Sequence, residues 1–207
     1  MFIVLDAIDG AGKGRQRLEL VAMLHKRGYK VESLEFPVHD KFYEDVIHPA
    51  LQGEIKLNAA SWVLAYLLDK TLQAETIRPY AGNKQNFLIA DGYLTTTIAY
   101  QSLLMKQVEL KKLLGYAHDF QIPKPDLAIF LDTDPQEALR RKAMEDGHAE
   151  GPDIFEKSLE KQKKLAKIFA GMAAKNVYCE WDVAGGNGSV AEVTANIVSV
   201  LKKHKLI

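Results

Sequence analysis

A glycine-rich segment near the N-terminus constrains the fold of this chain more than any other feature. It comes after the hydrophobic run Phe2–Leu5 and Asp6, and it reads Ala7-Ile8-Asp9-Gly10-Ala11-Gly12-Lys13-Gly14. The residues after it have helical periodicity, with apolar side chains at Leu18, Val21 and Leu24. Backbone N–H groups converge on a phosphate where a glycine-rich turn joins a strand to a helix. The segment therefore predicts a phosphate-binding loop, in which Lys13 supplies a point charge for the phosphate oxygens.

Two positions depart from the common pattern of such a loop. Ala7 stands where the pattern has Gly, and Gly14 stands where it has the Ser or Thr whose hydroxyl binds Mg²⁺. A glycine-rich turn without function is the competing interpretation. We favour the functional interpretation because the strand, the loop, the Gly-Lys pair and the helix coincide.

Short apolar runs alternate with longer amphipathic segments along the chain. The strand candidates are Phe2–Leu5, Lys30–Leu34, Phe87–Ala90, Leu127–Leu131 and Val177–Glu180. Near-continuous hydrophobic runs are typical of parallel strands that are buried on both faces. The alternation predicts an α/β fold, a three-layer domain of the P-loop NTPase type with a five-stranded parallel sheet and helices on both faces.

The length and composition fit one globular domain over residues 1–207. Lys+Arg and Asp+Glu balance at 27 each, so net charge gives no reason to expect a nucleic-acid or membrane partner. The only cysteine is Cys179, which excludes an intrachain disulfide and suits a reducing compartment. The apolar start of the chain is too short for a signal peptide. We therefore expect a cytoplasmic protein.

Helix ends are marked at three places. Gly28 follows the first helical segment, Pro135 follows Asp134 as a first helical residue, and Ser189 with Glu192 has the spacing of a capping box. A carboxylate, Asp91, ends the run Phe87–Ala90. Beside a phosphate loop, such a group can hold Mg²⁺ or position a phosphoryl acceptor.

Several fragments, in order, resemble the thymidylate kinase family. The opening resembles strand-E-G-x-D-G-x-G-K, and Phe36-Pro37 resembles the F-P element of the family. Tyr66 with Lys70 resembles an aromatic-x-x-x-Arg pattern on a long helix. The remaining fragments are Asp91-Gly92-Tyr93 with Thr96, Ala99, Tyr100 and Gln101, then Pro125-Asp126-Leu127, Phe130-Leu131-Asp132, Pro135, Ala138, Leu139 and Arg141, and finally Asp153, Phe155 and Glu156. The resemblance covers nearly the whole chain.

This resemblance implies transfer of the ATP γ-phosphoryl group to dTMP, with Mg²⁺, by a protein that is commonly a homodimer. It implies that ATP is bound by the loop residues Asp9, Gly10, Ala11, Gly12, Lys13 and Gly14 together with Arg141 of the lid. Arg15, which follows the loop in the first turn of the helix, is our own addition to the predicted ATP-binding residues. On the acceptor side, Asp9 would hold the sugar 3′-hydroxyl, Tyr66 would stack on thymine, and the pocket would be lined by Phe36, Lys70, Thr96 and Gln101. Asp91 would lie near the acceptor phosphate and the metal.

The chain departs from the family pattern at cationic positions. The family has arginines where this chain has His39, Lys70, Gly92 and Ile154, and it has Ser-Thr where this chain has Gly14-Arg15. Phosphoryl transfer depends on cations around the equatorial oxygens. We therefore predict that Arg15 and Arg141 supply part of the missing charge and, with Lys13, Asp9 and Asp91, form the catalytic set. The competing interpretation of Arg15 is a side chain that bends into solvent.

The residues leave the role of Tyr66 and the identity of the acceptor open. Tyr66 is equally compatible with a core aromatic, and the acceptor is either dTMP or another nucleoside monophosphate. A nucleotide-binding homologue with impaired catalysis is the competing class. The segment Asp146–Asp153 contains Gly147, Gly151 and Pro152 and is predicted to be a lid over ATP.

Overall fold

The structure, a computed structural model, describes residues 1–144 and 159–207. Its centre is a parallel sheet of five strands, which are Phe2–Asp6 (β1), Lys30–Glu35 (β2), Asn86–Asp91 (β3), Leu127–Asp132 (β4) and Trp181–Gly185 (β5). The strand order is β2-β3-β1-β4-β5, and every pairing is parallel. The predicted α/β class with a five-stranded parallel sheet is therefore confirmed.

The helices that flank this sheet are short to medium in length. They are Lys13–Lys26 (α1), His48–Gln52 (α2), Ala59–Leu72 (α3), Ala74–Ile77 (α4), Leu94–Thr97 (α5), Leu110–Asp119 (α6), Pro135–Met144 (α7), Leu159–Ala174 (α8) and Val190–Lys203 (α9). Two segments, Tyr43–Ile47 and Ile98–Leu104, are π-helical. Helix α1 packs with α9, whereas α8 packs with the second π-helical segment and with β4 and β5. Helix α1 connects β1 to β2, and α8 connects β4 to β5 in the opposite direction across the sheet. Because crossovers between parallel strands are right-handed, α1 and α8 lie on opposite faces of the sheet, and α9 lies on the face of α1.

The three central strands form the core because both of their faces are covered. Residues Phe2–Leu5 of β1 and Phe87–Ala90 of β3 are 0% exposed. The edge strand β2 has a mixed burial pattern instead. The register pairs Leu5 with Asp91, so that the carboxyl ends of β1 and β3 lie side by side at one edge of the sheet. That edge is where the glycine-rich loop leaves β1.

The predicted position of the fifth strand is wrong. Val177–Glu180 forms a turn, in which Tyr178 has a φ of 73°, and the strand begins at Trp181. The indole N–H of Trp181 donates to the carbonyl of Val177 at 2.9 Å, which closes this turn. Because β5 is an edge strand with alternating burial, it does not have the continuous apolar run that the prediction relied on.

The predicted helix ends agree with the structure. Gly28 has a φ of +85° just after α1, where a left-handed residue ends a helix. Ser189 and Glu192 form the reciprocal capping box of α9. Pro135 begins α7, and the side chain of the preceding Asp134 accepts a hydrogen bond of 2.7 Å from the backbone N–H of Gln136.

The predicted lid and the fragment Asp153, Phe155 and Glu156 lie outside the described residues, as does Ile154. Within the described part of the chain, none of the helices has the length and apolar character needed to cross a membrane.

Candidate active site

The glycine-rich loop connects β1 to α1 in the geometry of a phosphate-binding loop. Gly10 and Gly12 have φ values of +78° and +88°, which L side chains rarely adopt. A Cβ at Gly10 would lie 2.3 Å from the carbonyl oxygen of Ala138, so the close approach of α7 also requires glycine there. The Nζ of Lys13 lies near the carbonyl oxygens of Ala7 and Ile8, at 3.3 and 3.4 Å. The lysine is thus held at the loop by contacts that an incoming phosphate can replace.

Asp91 lies next to the first turn of α1. A Cβ built on Gly14 would lie 3.4 Å from Oδ2 of Asp91. Burial raises the pKa of the Asp91 carboxyl, and the nearby ammonium of Lys13 opposes this rise. A cation in this position would favour the charged carboxylate, as expected for a metal-binding acid.

A second buried acid, Asp6, lies beneath the loop and was not predicted as a site residue. Its Oδ1 accepts a hydrogen bond of 2.6 Å from the hydroxyl of Thr96. Its Oδ2 is buried and has no hydrogen-bond partner among the described residues. Burial raises the pKa of Asp6 to about 6, against the lowering effect of the nearby Thr95 and Thr96 hydroxyls and of Lys13, and the Asp91 carboxylate adds to the rise. The signal in the sequence was an acid at the end of a strand whose other residues are all apolar.

A cavity of about 170 Å³ opens beside the loop, at the carboxyl edge of the sheet. It brings together eight of the residues predicted from the sequence, which are Asp9, Lys13, Phe36, Tyr66, Lys70, Asp91, Thr96 and Gln101. Its lining also includes Pro37, Leu51, Tyr93, Thr97 and Tyr100. Residues from distant parts of the chain therefore share one site with the phosphate loop.

One end of the cavity is built from aromatic rings and a buried lysine. The Nζ of Lys70 lies 5.2 Å from the ring centroids of both Phe36 and Tyr66. Tyr66 also stacks on Trp62, with 5.6 Å between the centroids. Tyr66 thus packs against Trp62 of the same helix, α3, and also lines the cavity. This end of the site offers flat apolar surfaces and one cationic donor.

Gln101 contributes a buried amide to the same cavity. It is 1% exposed, and its Oε1 has no hydrogen-bond partner among the described residues. Buried polar atoms are usually hydrogen-bonded in the folded state. A side chain of this kind on a cavity wall is suited to a polar group of a ligand.

The carboxylate of Asp9 is oriented by two neutral donors. The hydroxyl of Tyr100 donates to Oδ2 of Asp9 at 2.7 Å, and Nε2 of Gln162 donates to the same oxygen at 3.2 Å. Gln162 comes from α8 and was not predicted as a site residue. The sequence gives no local signal for it, because the two residues are 153 positions apart.

The two arginines predicted to bind ATP lie in different surroundings. Arg141 donates to the carbonyl oxygens of Ala11, Gly186 and Gly188, at 3.3, 3.0 and 3.1 Å, and joins the phosphate loop to the turn after β5. Arg15 pairs with Glu19 at 2.7 Å on the outer side of α1, and its side chain is 64% exposed. The structure therefore brings Arg141 to the loop and leaves Arg15 at its periphery.

At two positions where the family pattern has arginine, this chain has His39 and Gly92, which make other contacts. His39 stacks on Tyr43 with 4.3 Å between the ring centroids. Gly92 has a φ of +64°, and a Cβ there would lie 3.0 Å from the Thr96 hydroxyl oxygen. A side chain at position 92 would thus meet both backbone strain and a steric contact.

Comparison with known proteins places this site in a family. The family model of thymidylate kinase matches residues 5–197 of the chain. A probable thymidylate kinase of Methanosphaera stadtmanae is 32% identical over 169 residues, which cover 81% of this chain and 84% of the relative. A probable thymidylate kinase of Pyrococcus abyssi and the thymidylate kinase of Thermosipho africanus are each 28% identical over 211 residues, with coverage of 97% or more of each chain. With the phosphate loop, the parallel sheet and a match over nearly its full length, this chain belongs to the thymidylate kinase family.

Proposed function

We propose that this chain transfers the γ-phosphoryl group of ATP to dTMP, giving dTDP and ADP, the reaction that its family membership indicates. The main observation that supports the proposal is one cavity lined both by residues of the phosphate loop and by aromatic side chains. A donor phosphate on the loop and a base between the rings would then share one enclosed site. Positioning of the two reactants, together with electrostatic stabilisation, accounts for nearly all of the catalysis of phosphoryl transfer.

The donor is bound by the loop Asp9–Gly14 in this proposal. Backbone N–H groups and the N-terminus of α1 favour the phosphate charge, and Lys13 adds a cation. Arg141 supports the loop from the other side through the carbonyl of Ala11. Arg15 is proposed to contribute a further charge after it leaves Glu19.

The acceptor is bound by the aromatic end of the cavity. Tyr66 and Phe36 offer ring faces to the base, and Lys70 offers an N–H donor to a carbonyl oxygen on its edge. Gln101 and Thr96 supply further polar contacts on the wall. Asp9 accepts a hydrogen bond from the sugar 3′-hydroxyl through its Oδ1, the oxygen that Tyr100 does not contact.

Mg²⁺ fits the donor set at the carboxyl edge of the sheet. Asp91 would hold the ion directly or through water, since Mg²⁺ in such sites commonly uses one or two carboxylates together with substrate phosphates. Its buried carboxyl beside the loop supports this assignment. When bound, the ion neutralises charge that develops on the transferring phosphoryl group.

A second candidate is a homologue with another acceptor or with impaired catalysis. The observation that favours it is the loss of cations at positions 39 and 92, which are His39 and Gly92 here. An arginine at such a site can be worth ~10³–10⁵ in rate. The acceptor preference and the turnover number separate this candidate from the first.

We also propose that two copies associate through one apolar face. Leu64, Leu68 and Leu72 form an i, i+4, i+8 stripe on α3 and are 54%, 44% and 52% exposed. Tyr116 and Phe120 of α6 are also exposed, at 40% and 47%. An apolar stripe that is continuous over two helical turns can cover the same stripe on a second copy, as a two-fold interface requires. Light scattering on the wild type and on Leu68→Glu tests this, because the charged side chain should give monomers.

The proposed functional unit is one kinase domain over residues 1–207 that works in the cytoplasm. The support for this location is that the only cysteine in the sequence, Cys179, is free and buried, so that the fold uses no intrachain disulfide, as is usual in a reducing compartment.

The experiment that tests the proposed reaction is ADP release with ATP, Mg²⁺ and dTMP, measured for the wild type and for Lys13→Ala. We expect activity that depends on dTMP, and a loss of turnover of at least about 100-fold in the variant. Lys13 donates only to loop carbonyls among the described residues, so the variant should stay folded by circular dichroism. Activity without dTMP, or normal turnover in Lys13→Ala, would contradict the proposal.

A further inference from the structure

A glutamine of α8 reaches Asp9 of the phosphate loop, a residue that lines the cavity. Gln162 is 2% exposed, and its Nε2 lies 3.2 Å from Oδ2 of Asp9. Its Oε1 is buried and has no hydrogen-bond partner among the described residues. An amide that left both ends unsatisfied would cost free energy, so the bond to Asp9 is what retains this side chain in the interior.

The orientation of the amide is determined by the charge of its partner. A carboxylate accepts hydrogen bonds, so the NH₂ group must face Asp9 and the carbonyl oxygen must face away. Exchanging the amide nitrogen and oxygen would place Oε1 of Gln162 against Oδ2 of Asp9, and both of these atoms are acceptors. The assignment of Nε2 as the donor to Asp9 therefore follows from chemistry as well as from the distance.

Two donors converge on one oxygen of Asp9 and leave the other for a ligand. Gln162 and the Tyr100 hydroxyl both donate to Oδ2, and Asp9 lines the cavity. No described residue donates a hydrogen bond to Oδ1. Both donors are neutral, and a carboxylate oxygen accepts hydrogen bonds, so Oδ1 suits a hydroxyl donor and not a phosphate oxygen.

We infer that Gln162 is a positioning residue for the acceptor sugar. It acts through Asp9, by fixing the carboxylate so that Oδ1 points to the 3′-hydroxyl of the nucleotide. The inference rests on the proposed role of Asp9 as the 3′-hydroxyl acceptor. It makes α8, and not only the phosphate loop, a determinant of the acceptor that the enzyme prefers.

The test compares two acceptors that differ by one hydroxyl. Steady-state kinetics are measured with dTMP and with 3′-deoxy-dTMP for the wild type and for Gln162→Leu, which keeps a similar volume and removes the donor. We expect kcat/KM for dTMP to fall on the order of tenfold, as for loss of a hydrogen bond to a charged group. The value for 3′-deoxy-dTMP should stay nearly unchanged, because that substrate makes no contact for Asp9 to orient.

A buried glutamine elsewhere supplies the matched control. Gln16 is 3% exposed and links α1 to α9 through the carbonyl of Val190 and the hydroxyl of Thr194. Gln16→Leu should lower the thermal stability without changing the ratio of the two kcat/KM values. Equal losses on both acceptors in Gln162→Leu, or no loss on either, would overturn the inference.

Asp9→Asn separates this inference from the proposed function. If Asp9 binds the 3′-hydroxyl, this variant loses most of the preference for dTMP over 3′-deoxy-dTMP. A preference that survives in Asp9→Asn refutes the role of Asp9, and with it the role of Gln162. A preference that disappears in Asp9→Asn but persists in Gln162→Leu refutes the role of Gln162 alone.

Discussion

Asp69 and Lys70 are neighbours on α3 and form a buried ion pair beside the acceptor cavity. The Nζ of Lys70 lies 2.8 Å from Oδ2 of Asp69, and the two side chains are 3% and 2% exposed. Oδ1 of Asp69 accepts a hydrogen bond of 2.9 Å from the backbone N–H of Val38. The pair thus joins α3 to the loop that follows Phe36-Pro37. It places the lysine against the rings of Phe36 and Tyr66.

We predict that Asp69→Ala destabilises the protein by about 3 kcal/mol, because it leaves the Lys70 charge buried without its partner. Urea unfolding measures this difference in the free energy of unfolding. The control is the double variant Asp69→Ala with Lys70→Met, which removes both charges. It should be more stable than the single variant, since the unpaired charge is gone. A double variant that is less stable than the single one would contradict the account of this pair.

The buried Asp6 makes the stability depend on pH. Burial raises the pKa of Asp6 to about 6 from an ordinary value of 3.8, so between these two values the folded state binds more protons than the unfolded state. Stability from this group is therefore highest below about pH 4 and falls as pH rises to about 6. A shift of this size corresponds to about 3 kcal/mol.

Asp6→Asn removes this titration and keeps an acceptor for the Thr96 hydroxyl. We predict that the variant gains stability relative to the wild type as pH rises from about 4 to about 7.5, and that the gain approaches about 3 kcal/mol over that range. Comparing the two proteins by urea unfolding at both pH values cancels the contributions of the acids that do not interact with Asp6. A difference in unfolding free energy that is independent of pH would mean that Asp6 titrates normally.

The missing hydroxyl of the phosphate loop can be tested at Gly14. A side chain there would begin 3.4 Å from Oδ2 of Asp91, so the hydroxyl of Gly14→Ser would lie beside the proposed metal ligand. We predict that the Ser variant reaches half-maximal activity at a several-fold lower Mg²⁺ concentration, because the hydroxyl adds a ligand. Gly14→Ala is the control and should not change the Mg²⁺ requirement. Equal effects of Ser and Ala would indicate a backbone effect and not a ligand.

The proposed contribution of the Arg15 charge to catalysis can be tested by mutation, although the side chain is exposed. If Arg15 leaves Glu19 to reach the transferring phosphoryl group, Arg15→Ala and Arg15→Thr should both lower kcat. The loss should be about tenfold or more at saturating Mg²⁺, below the ~10³–10⁵ of a fully engaged arginine. Glu19→Ala, which only releases Arg15, should not lower kcat. Higher activity in Arg15→Thr would show instead that position 15 requires a hydroxyl.

The sequence was sufficient for the parts of the fold that depend on local pattern. β1, β3 and β4 are buried on both faces, so their apolar runs predicted them, and the phosphate loop followed from its glycines and its position. β5 was misplaced because an edge strand with Asp182 and Gly185 has no continuous apolar run. The other edge strand, β2, was predicted to within one residue of its observed bounds, so the error is specific to β5, where a short apolar run lies just before the strand.

The site was predictable only where a motif fixes a residue. Eight predicted residues line one cavity, but several participants were not predicted as site residues, among them Asp6, Asp69, Tyr100 and Gln162. Their importance comes from contacts that the local sequence does not encode. Asp69 reaches Val38 across 31 positions, and Gln162 reaches Asp9 across 153. The composition of a helix gives no information about which of its polar residues will be buried against a distant carboxylate.

The most direct test of the central claim is the acceptor preference of the wild-type protein. With ATP and Mg²⁺ in excess, kcat/KM is measured for dTMP, dUMP, dCMP, dGMP and dAMP by ADP release. We predict that dTMP is the best acceptor and that the cytosine and purine nucleotides are rejected strongly. A pocket that hydrogen-bonds one base edge leaves buried polar groups unmatched with another. Equal values for all five acceptors, or a preference for a purine nucleotide, would contradict the proposal that this cavity binds dTMP.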